Sequence, residues 1–307
     1  MEPTPTHWAY ERTSLPAQGP GGRAADLTAW GWSQDDPAQA RTRAQERLTR
    51  LVQRWRSGEI RASEAYYPDM PVREQVLDQV RAADGTLLAE VTRNRYGARC
   101  LVTDAVFIAD VDLPDEPSAQ RGASPKRSFM DRLLGRPAPQ PEPAAAPATD
   151  PAEAAAIERV LTAVAPHPQW DVRIYRTRAG LRVVICGSDL QPREDATSEL
   201  FTAMAVDPLY ARLCRNQGTY RARLTAKPWR LRGVETPRIS WPAASDQEQQ
   251  RVQRWVTTYE GVAAGTQVCA LREHRPGQVS EAEQLVLDLH DRVSAAQQRA
   301  TSAQDLV

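Results

Sequence analysis

Residues 86–112 read TLLAEVTRNRYGARCLVTDAVFIADVD, and this stretch decides the predicted fold. Runs rich in β-branched and apolar residues, bounded by turn residues, predict three consecutive strands at Thr86–Arg93, Arg99–Thr103 and Ala105–Asp112. The segment from Asn94 to Gly97 is typical of a hairpin turn between the first two strands. The chain therefore contains a sheet whose third strand ends on two acidic residues.

Helices are predicted on both sides of this stretch. Before it, a long helix should begin at Asp36 and end near Gly58, and a short helix should cover Val72–Ala83. After it, capping residues predict helices that begin near Asp150, Asp207 and Ser280. Further strands are predicted at Trp170–Arg176, Leu181–Cys186 and Thr219–Leu224.

This order of elements predicts an α+β fold with an antiparallel or mixed sheet core, flanking helices and a helical C-terminal part. We expect five regions: a disordered N-terminus at 1–25, the first half of the core at 26–116, a Pro/Ala-rich segment at 117–150, the second half of the core at 151–245, and C-terminal helices at 246–307. The Pro/Ala-rich segment is either a domain linker or a long loop inserted in one fold.

Composition excludes several classes of protein. The chain has 307 residues with 39 basic and 39 acidic side chains, so that no overall charge attracts it to nucleic acid or membrane. We expect no signal peptide at the N-terminus, and no apolar run reaches the about 18 residues that span a bilayer. Its four cysteines are far apart and are expected to be buried free thiols. These features predict a cytoplasmic protein that does not bind membranes.

The acid pair at the end of the third predicted strand is the first candidate site. Asp110 and Asp112 lie two residues apart, so in a strand they share one face, about 7 Å apart. Two carboxylates at this distance repel each other, so a cation is expected between them, either a divalent metal such as Mg²⁺ or Mn²⁺ or an arginine. Alternatively, both acids are solvated where the strand ends. The sequence leaves these alternatives open.

A glycine-containing turn is the second candidate. Thr177, Arg178 and Arg182 offer phosphate donors, and Gly180 would allow a ligand to approach the backbone closely. The alternative is an ordinary tight turn with arginines that face solvent.

His290, beside Asp288 and Asp291, lies in an apolar helix stripe that is typical of a packing element.

The third candidate is a basic segment, residues 210–233, in which seven basic residues occur without an acid. Basic groups with interspersed aromatic side chains suit a nucleic-acid backbone and stacked bases. The residues expected to contact nucleic acid are Arg221, Arg223, Lys227, Trp229 and Arg230. The competing interpretation is that these arginines pair internally with the acids of the first candidate.

The order of the three candidates resembles the archaeo-eukaryotic primase superfamily. Its acidic h-D-h-D strand corresponds to residues 108–112, and its S/T-x-x-G-x-H turn corresponds to residues 177–182, where Arg182 replaces the histidine. The resemblance implies metal-dependent nucleotidyl transfer, with Asp110, Asp112 and, as third acid, Glu235 as catalytic residues. Residues 207–230 also resemble a segment of uncharacterised bacterial proteins, which implies no activity.

Three functions are therefore expected. The first is binding of DNA, RNA or nucleotide phosphates by a primase-like core that has lost catalysis. The second is catalysis by a metal-dependent nucleotidyltransferase. The third is a non-catalytic protein-interaction or scaffold module, in which Asp110 and Asp112 pair with Arg182.

Overall fold

A computed structural model describes residues 1–16, 24–59, 70–114, 150–237, 239–296 and 306–307. The strands are β1 His7–Leu15, β2 Ala25–Ser33, β3 Gln75–Arg81, β4 Leu87–Arg93, β5 Arg99–Thr103, β6 Phe107–Asp112, β7 Asp171–Thr177, β8 Gly180–Cys186, β9 Tyr220–Arg223 and β10 Cys269–Arg275. The helices are α1 Pro37–Arg56, α2 Pro151–Val164, α3 Asp195–Met204, α4 Pro208–Gln217, α5 Asp246–Ala263 and α6 Glu281–Ser294. The predicted α+β class is confirmed.

An N-terminal hairpin, in which β1 pairs antiparallel with β2, packs against α1. This hairpin corrects the prediction of disorder over residues 1–25, although residues 17–23 lie outside the described part. A Cβ at Gly31 would lie 2.1 Å from the carbonyl oxygen of Ala40, so glycine allows the close contact between β2 and α1. The helix begins as predicted, with Asp36 as N-cap accepting a hydrogen bond from the amide of Ala38.

The first four-stranded sheet has the order β3-β4-β5-β9 and is antiparallel throughout. The predicted hairpin of β4 and β5 is confirmed, with Asn94 accepting hydrogen bonds from the backbone across the turn. The predicted helix over Val72–Ala83 is wrong, because residues 75–81 form the edge strand β3. Irregular pairing between Val76 and Asp78 disturbs the alternation that would have identified this strand.

The second four-stranded sheet has the order β10-β7-β8-β6 and is also antiparallel. Strands β6, β7 and β8 follow the prediction, whereas β10 falls in a region that was expected to be helical. Helices α2 and α4 begin at their predicted caps, Asp150 and Asp207, and α6 begins with the capping box of Ser280 and Glu283.

The two sheets adjoin where β5 continues into β6 across residues 104–106. Tyr210 on α4 closes the junction, because its hydroxyl donates to the Ile108 carbonyl (2.8 Å) and accepts from the Arg221 amide (3.3 Å). Phe107 packs against Phe201 and Tyr220 beside this junction. The core is continuous across both sheets and four helices, α2, α3, α4 and α6.

Two sequence predictions meet limits of the described residues. The Pro/Ala-rich segment was predicted at 117–150, and all of it except Asp150 lies outside the described part of the chain. Within the described ranges, none of the helices combines the length and the apolar character that crossing a bilayer requires.

Candidate functional site

The three sequence candidates meet at one pocket. It lies where the end of β6, the turn from β7 to β8, and the segment after β9 come together, and its volume is about 110 Å³. The charged and polar side chains in its wall are Asp110, Asp112, Thr177, Arg182, Arg223, Lys227 and Arg230. The pocket thus joins residues that lie more than 100 positions apart in the sequence.

The pairing of β6 with β8 places the acids of the pocket. Asp110 lies opposite Arg182, and Asp112 lies opposite Gly180. The Asp110 carbonyl accepts a hydrogen bond from the Asp207 amide at the start of α4 (3.1 Å), which fixes this end of the strand. Asp110 is half-exposed and Asp112 is exposed, so both carboxylates can reach the pocket.

Gly180 has a role other than the predicted one. A Cβ at this position would lie 2.1 Å from the carbonyl oxygen of Val111 on β6 and 3.0 Å from Cα of Asp112. Glycine is therefore required by the close approach of β6. The Thr177 hydroxyl closes the same turn by accepting from the Gly180 amide (3.2 Å) and lying 3.1 Å from its carbonyl oxygen.

Arg182 is the most deeply buried charge of the site, with a side chain that is 2% exposed. Its Nε donates to Oδ1 of Asp110 (3.3 Å), and its Nη1 donates to the Arg223 carbonyl (3.0 Å). Burial alone would lower the pKa of this guanidinium, but Asp110 and smaller contributions from Cys269 and Tyr210 together outweigh it, and the pKa of Arg182 is raised. Arg182 therefore connects β8 with both β6 and β9 at the floor of the pocket.

A buried polar network lies behind Arg182, and sequence reasoning missed it. Nη1 of Arg182 lies 3.2 Å from Nε2 of His290, and Nδ1 of His290 lies 2.8 Å from Oδ1 of Asp291. Tyr175 donates to the same Asp291 oxygen (2.8 Å), and burial raises the pKa of Tyr175. Burial lowers the pKa of His290, but the hydrogen bonds to Asp291 and Cys269 together outweigh it, and the net pKa is raised. The sequence feature that could have indicated this network is a histidine flanked by acids within an apolar helix stripe.

The opposite wall of the pocket is cationic. Burial, followed by repulsion from Arg223, lowers the pKa of Arg230 to about 10. Burial and the charges of Arg223 and Arg230 likewise lower the pKa of Lys227, although Asp110 and Asp112 oppose this. Among the described residues, Nη1 of Arg230 is a buried donor without a hydrogen-bond acceptor.

The contacts of Arg223 and Arg178 extend beyond this wall. Nη1 of Arg223 donates to the backbone oxygens of Thr225 (2.9 Å) and Val307 (3.3 Å). Arg178, a predicted phosphate ligand, donates to the Leu306 carbonyl (3.1 Å), and its charge also lowers the pKa of Arg230. Arg178 therefore lies near the pocket without belonging to its lining.

Three further predicted residues lie outside the pocket. Arg221 forms an ion pair with Glu74 and lines a different cleft. Trp229 is half-exposed beside the pocket, with its ring centroid 5.5 Å from Nζ of Lys227. The structure does not bring Glu235 to the acid pair: its side chain is exposed, and its carbonyl accepts from Nε1 of Trp255.

The donor set fits a resident divalent cation poorly. Hard cations need several oxygen ligands and little competing positive charge, whereas here one of two carboxylates is paired with Arg182 and four cationic side chains line the pocket. Within the described ranges, no three side chains of His, Cys, Asp or Glu converge as a metal site would require. Metal binding by Asp110 and Asp112 stays a prediction.

Comparisons with known proteins identify no similar protein. The chain matches no protein-family model, and searches of curated proteins and of solved structures find no significant similarity. The resemblance to the primase superfamily therefore stays a prediction, and the candidate function depends on the geometry of the pocket.

Proposed function

We propose that this pocket binds a phosphate group of a nucleic acid or a nucleotide. The observation that carries the proposal is the charge of the lining, in which Arg182, Arg223, Lys227 and Arg230 face only two carboxylates. The excess of positive charge favours a phosphate group, which carries one negative charge as a diester and about two as a terminal monoester, and whose oxygens accept charge-assisted hydrogen bonds from guanidinium and ammonium groups.

The state of the cationic side chains supports this proposal. The lowered pKa of Arg230 and of Lys227 means that each charge is held at a cost in this environment. A bound phosphate would relieve the repulsion and give the buried Nη1 of Arg230 an acceptor. Perturbed titratable groups in a concave site are typical of functional sites.

The acids have a supporting role in this proposal. Asp110 holds Arg182 in place, so that the guanidinium stays at the floor of the pocket. All four cysteines are buried free thiols, which agrees with a location in the cytoplasm. The cytoplasm contains nucleotides and nucleic acids. The scaffold alternative is favoured by the same ion pair between Asp110 and Arg182, and it requires no ligand.

Binding should depend on Lys227 and Arg230. We expect Lys227→Gln/Arg230→Gln to weaken binding of a fluorescein-labelled single-stranded decanucleotide about thirtyfold at low salt. Two half-buried charge-assisted hydrogen bonds of about 1 kcal/mol each account for this loss. Fluorescence anisotropy at several salt concentrations measures it, and the slope of log K against log salt should become shallower by about 0.7 per lost phosphate contact.

The matched control is Arg41→Gln/Arg50→Gln, which removes the same charge from the exposed face of α1. It should leave the affinity within about twofold of the original value, because neither side chain lines the pocket and exposed charges outside it are screened by salt. Equal affinity for both double variants, or no binding by the original protein at low salt, would support the scaffold alternative instead.

The crowded cations also predict a gain in stability when one of them is removed. Arg230→Gln should raise the free energy of unfolding of the unliganded protein by about 1 kcal/mol, because it removes the repulsion between Arg230 and Arg223. The gain stays small because partial exposure to solvent screens that repulsion. Thermal unfolding measures the change, and Arg41→Gln should leave the melting temperature unchanged. A lower melting temperature for Arg230→Gln would show that this side chain stabilises the fold.

A further inference from the structure

A second, larger cleft lies next to the phosphate pocket and shares strand β9 with it. Its volume is about 540 Å³, and its lining includes Arg73, Arg93, Arg95, Tyr96, Arg221 and Trp241. Arg221 and Arg223 lie two residues apart on β9, so they are about 7 Å apart along one face of the strand. Arg223 lines the phosphate pocket and Arg221 lines the cleft.

Two residues that line the cleft each have a buried polar atom without a hydrogen-bond partner. Within the described part of the chain, Nε of Arg221 and Oε1 of Gln217 are buried and have no hydrogen-bond partner. Nη2 of Arg221 donates to Glu74, which also accepts from the Thr92 hydroxyl (2.7 Å). A planar ring that carries both an acceptor and a donor on its edge, as a nucleobase does, would satisfy both atoms.

Two aromatic side chains connect the pocket with the cleft. The rings of Trp229 and Tyr96 meet edge to face with centroids 5.2 Å apart, and Trp229 is 50% exposed. Lys227 of the phosphate pocket lies 5.5 Å from the centroid of Trp229. At the other end, the guanidinium of Arg95 lies 4.7 Å from the centroid of Tyr96, in the lining of the cleft.

This arrangement forms a continuous track, which we define as the phosphate pocket, Trp229, Tyr96 and the cleft. We propose that the track binds single-stranded nucleic acid, with a phosphate in the pocket, a base stacked on Trp229 and a further base in the cleft. The inference rests on the proposed function, and it names the ligand as a polynucleotide. Bases of a duplex are stacked and paired with each other, so they could not reach an aromatic side chain or the cleft.

Length and strandedness of the ligand test this inference. Four probes are compared by anisotropy or calorimetry: inorganic tripolyphosphate, a single-stranded trinucleotide, a single-stranded decanucleotide and a ten-base-pair duplex of the same sequence. We expect affinity to rise from tripolyphosphate to the decanucleotide, and the single strand to bind at least tenfold more tightly than the duplex. If the protein bound only a single nucleotide, affinity would not rise with the length of the probe.

Substitution of the exposed aromatic side chain separates the two proposals. Trp229→Leu should weaken decanucleotide binding about tenfold, because the lost stacking acts on bases alone, and should leave tripolyphosphate binding unchanged. Trp229→Phe keeps a ring and should restore most of the affinity. Tyr10→Leu removes a similarly exposed ring from the N-terminal hairpin, and it should change neither affinity.

The outcomes are distinct. A decanucleotide that binds no more tightly than tripolyphosphate, or equally to the original protein and Trp229→Leu, would overturn the track while the phosphate pocket stands. Absence of tripolyphosphate binding, together with no effect of Lys227→Gln/Arg230→Gln, would overturn the phosphate pocket itself. Circular dichroism tests whether Trp229→Leu is folded, and Trp229→Phe provides the same comparison with a smaller change.

Discussion

Arg182→Met should lower the free energy of unfolding by about 4 kcal/mol. The side chain is 2% exposed and connects Asp110 with the Arg223 carbonyl, so methionine would fill the volume but leave both partners without their donor. Loss of one member of a buried ion pair costs about 3–5 kcal/mol. The cost is smaller here because Asp110 is half-exposed, so that water can solvate its carboxylate. The unsatisfied carbonyl adds about 1 kcal/mol or more. Urea unfolding measures the difference.

The control is an arginine whose ion pair lies at the surface. Arg215 pairs with Asp195 at 3.1 Å, and both side chains are at least half-exposed, so Arg215→Met should change stability by less than about 0.5 kcal/mol. A loss below about 1 kcal/mol for Arg182→Met would mean that Arg182 contributes little to the fold. Its place in the pocket would then have to be explained by ligand binding alone.

The sequence predicted those elements whose signals are local. Helix α1 follows from its N-cap Asp36 and the spacing of its apolar residues, and α6 follows from the capping box of Ser280 and Glu283. The hairpin of β4 and β5 follows from two β-branched runs around the turn at Asn94. In each of these elements the determining residues lie within a few positions of each other, so tertiary contacts are not needed to recognise them.

Edge strands were missed because their residues do not have to alternate between core and solvent. Strand β10 has the sequence CALREHR, whose four charged or histidine residues protect an exposed edge, and its pairing shifts between Leu271 and Glu273. The segment that leads into and includes β3 has apolar residues at 72, 76, 77 and 80, a helical spacing, and within the strand the pairing shifts near Asp78. Irregular pairing is a tertiary property, and local periodicity does not reveal it.

The candidate site could be predicted in its parts but not in its contacts. The residue types at Asp110, Arg182 and Lys227 indicated carboxylates, phosphate donors and a basic segment, and the structure brings them to one pocket. The partner of Asp110 was left open because Arg182 is 72 residues away, and only the register of β6 with β8 selects it. His290 is 108 residues from Arg182, and its packing on a helix gave no indication of this contact.

Gly180→Ala should lower the free energy of unfolding by about 3 kcal/mol. The new methyl group would meet the backbone of β6, 2.1 Å from the Val111 carbonyl oxygen, and a paired strand cannot move aside without losing hydrogen bonds. Inserting a methyl group into a packed site costs about 1–3 kcal/mol, and backbone contact on this scale belongs at the upper end. Urea unfolding of both proteins measures the change.

The comparison with Gly261→Ala shows whether Gly180 serves the fold or the ligand. Gly261 lies in α5 with open space around its Cβ position, so alanine there should stabilise the protein by about 0.5–1 kcal/mol through its higher helix propensity. If Gly180 were needed only for a ligand to approach, Gly180→Ala would weaken tripolyphosphate binding and leave stability unchanged. Because its Cβ would point at β6, we expect the opposite order: the sheet is destabilised first, and the pocket is lost because the pairing of Asp112 with residue 180 is lost.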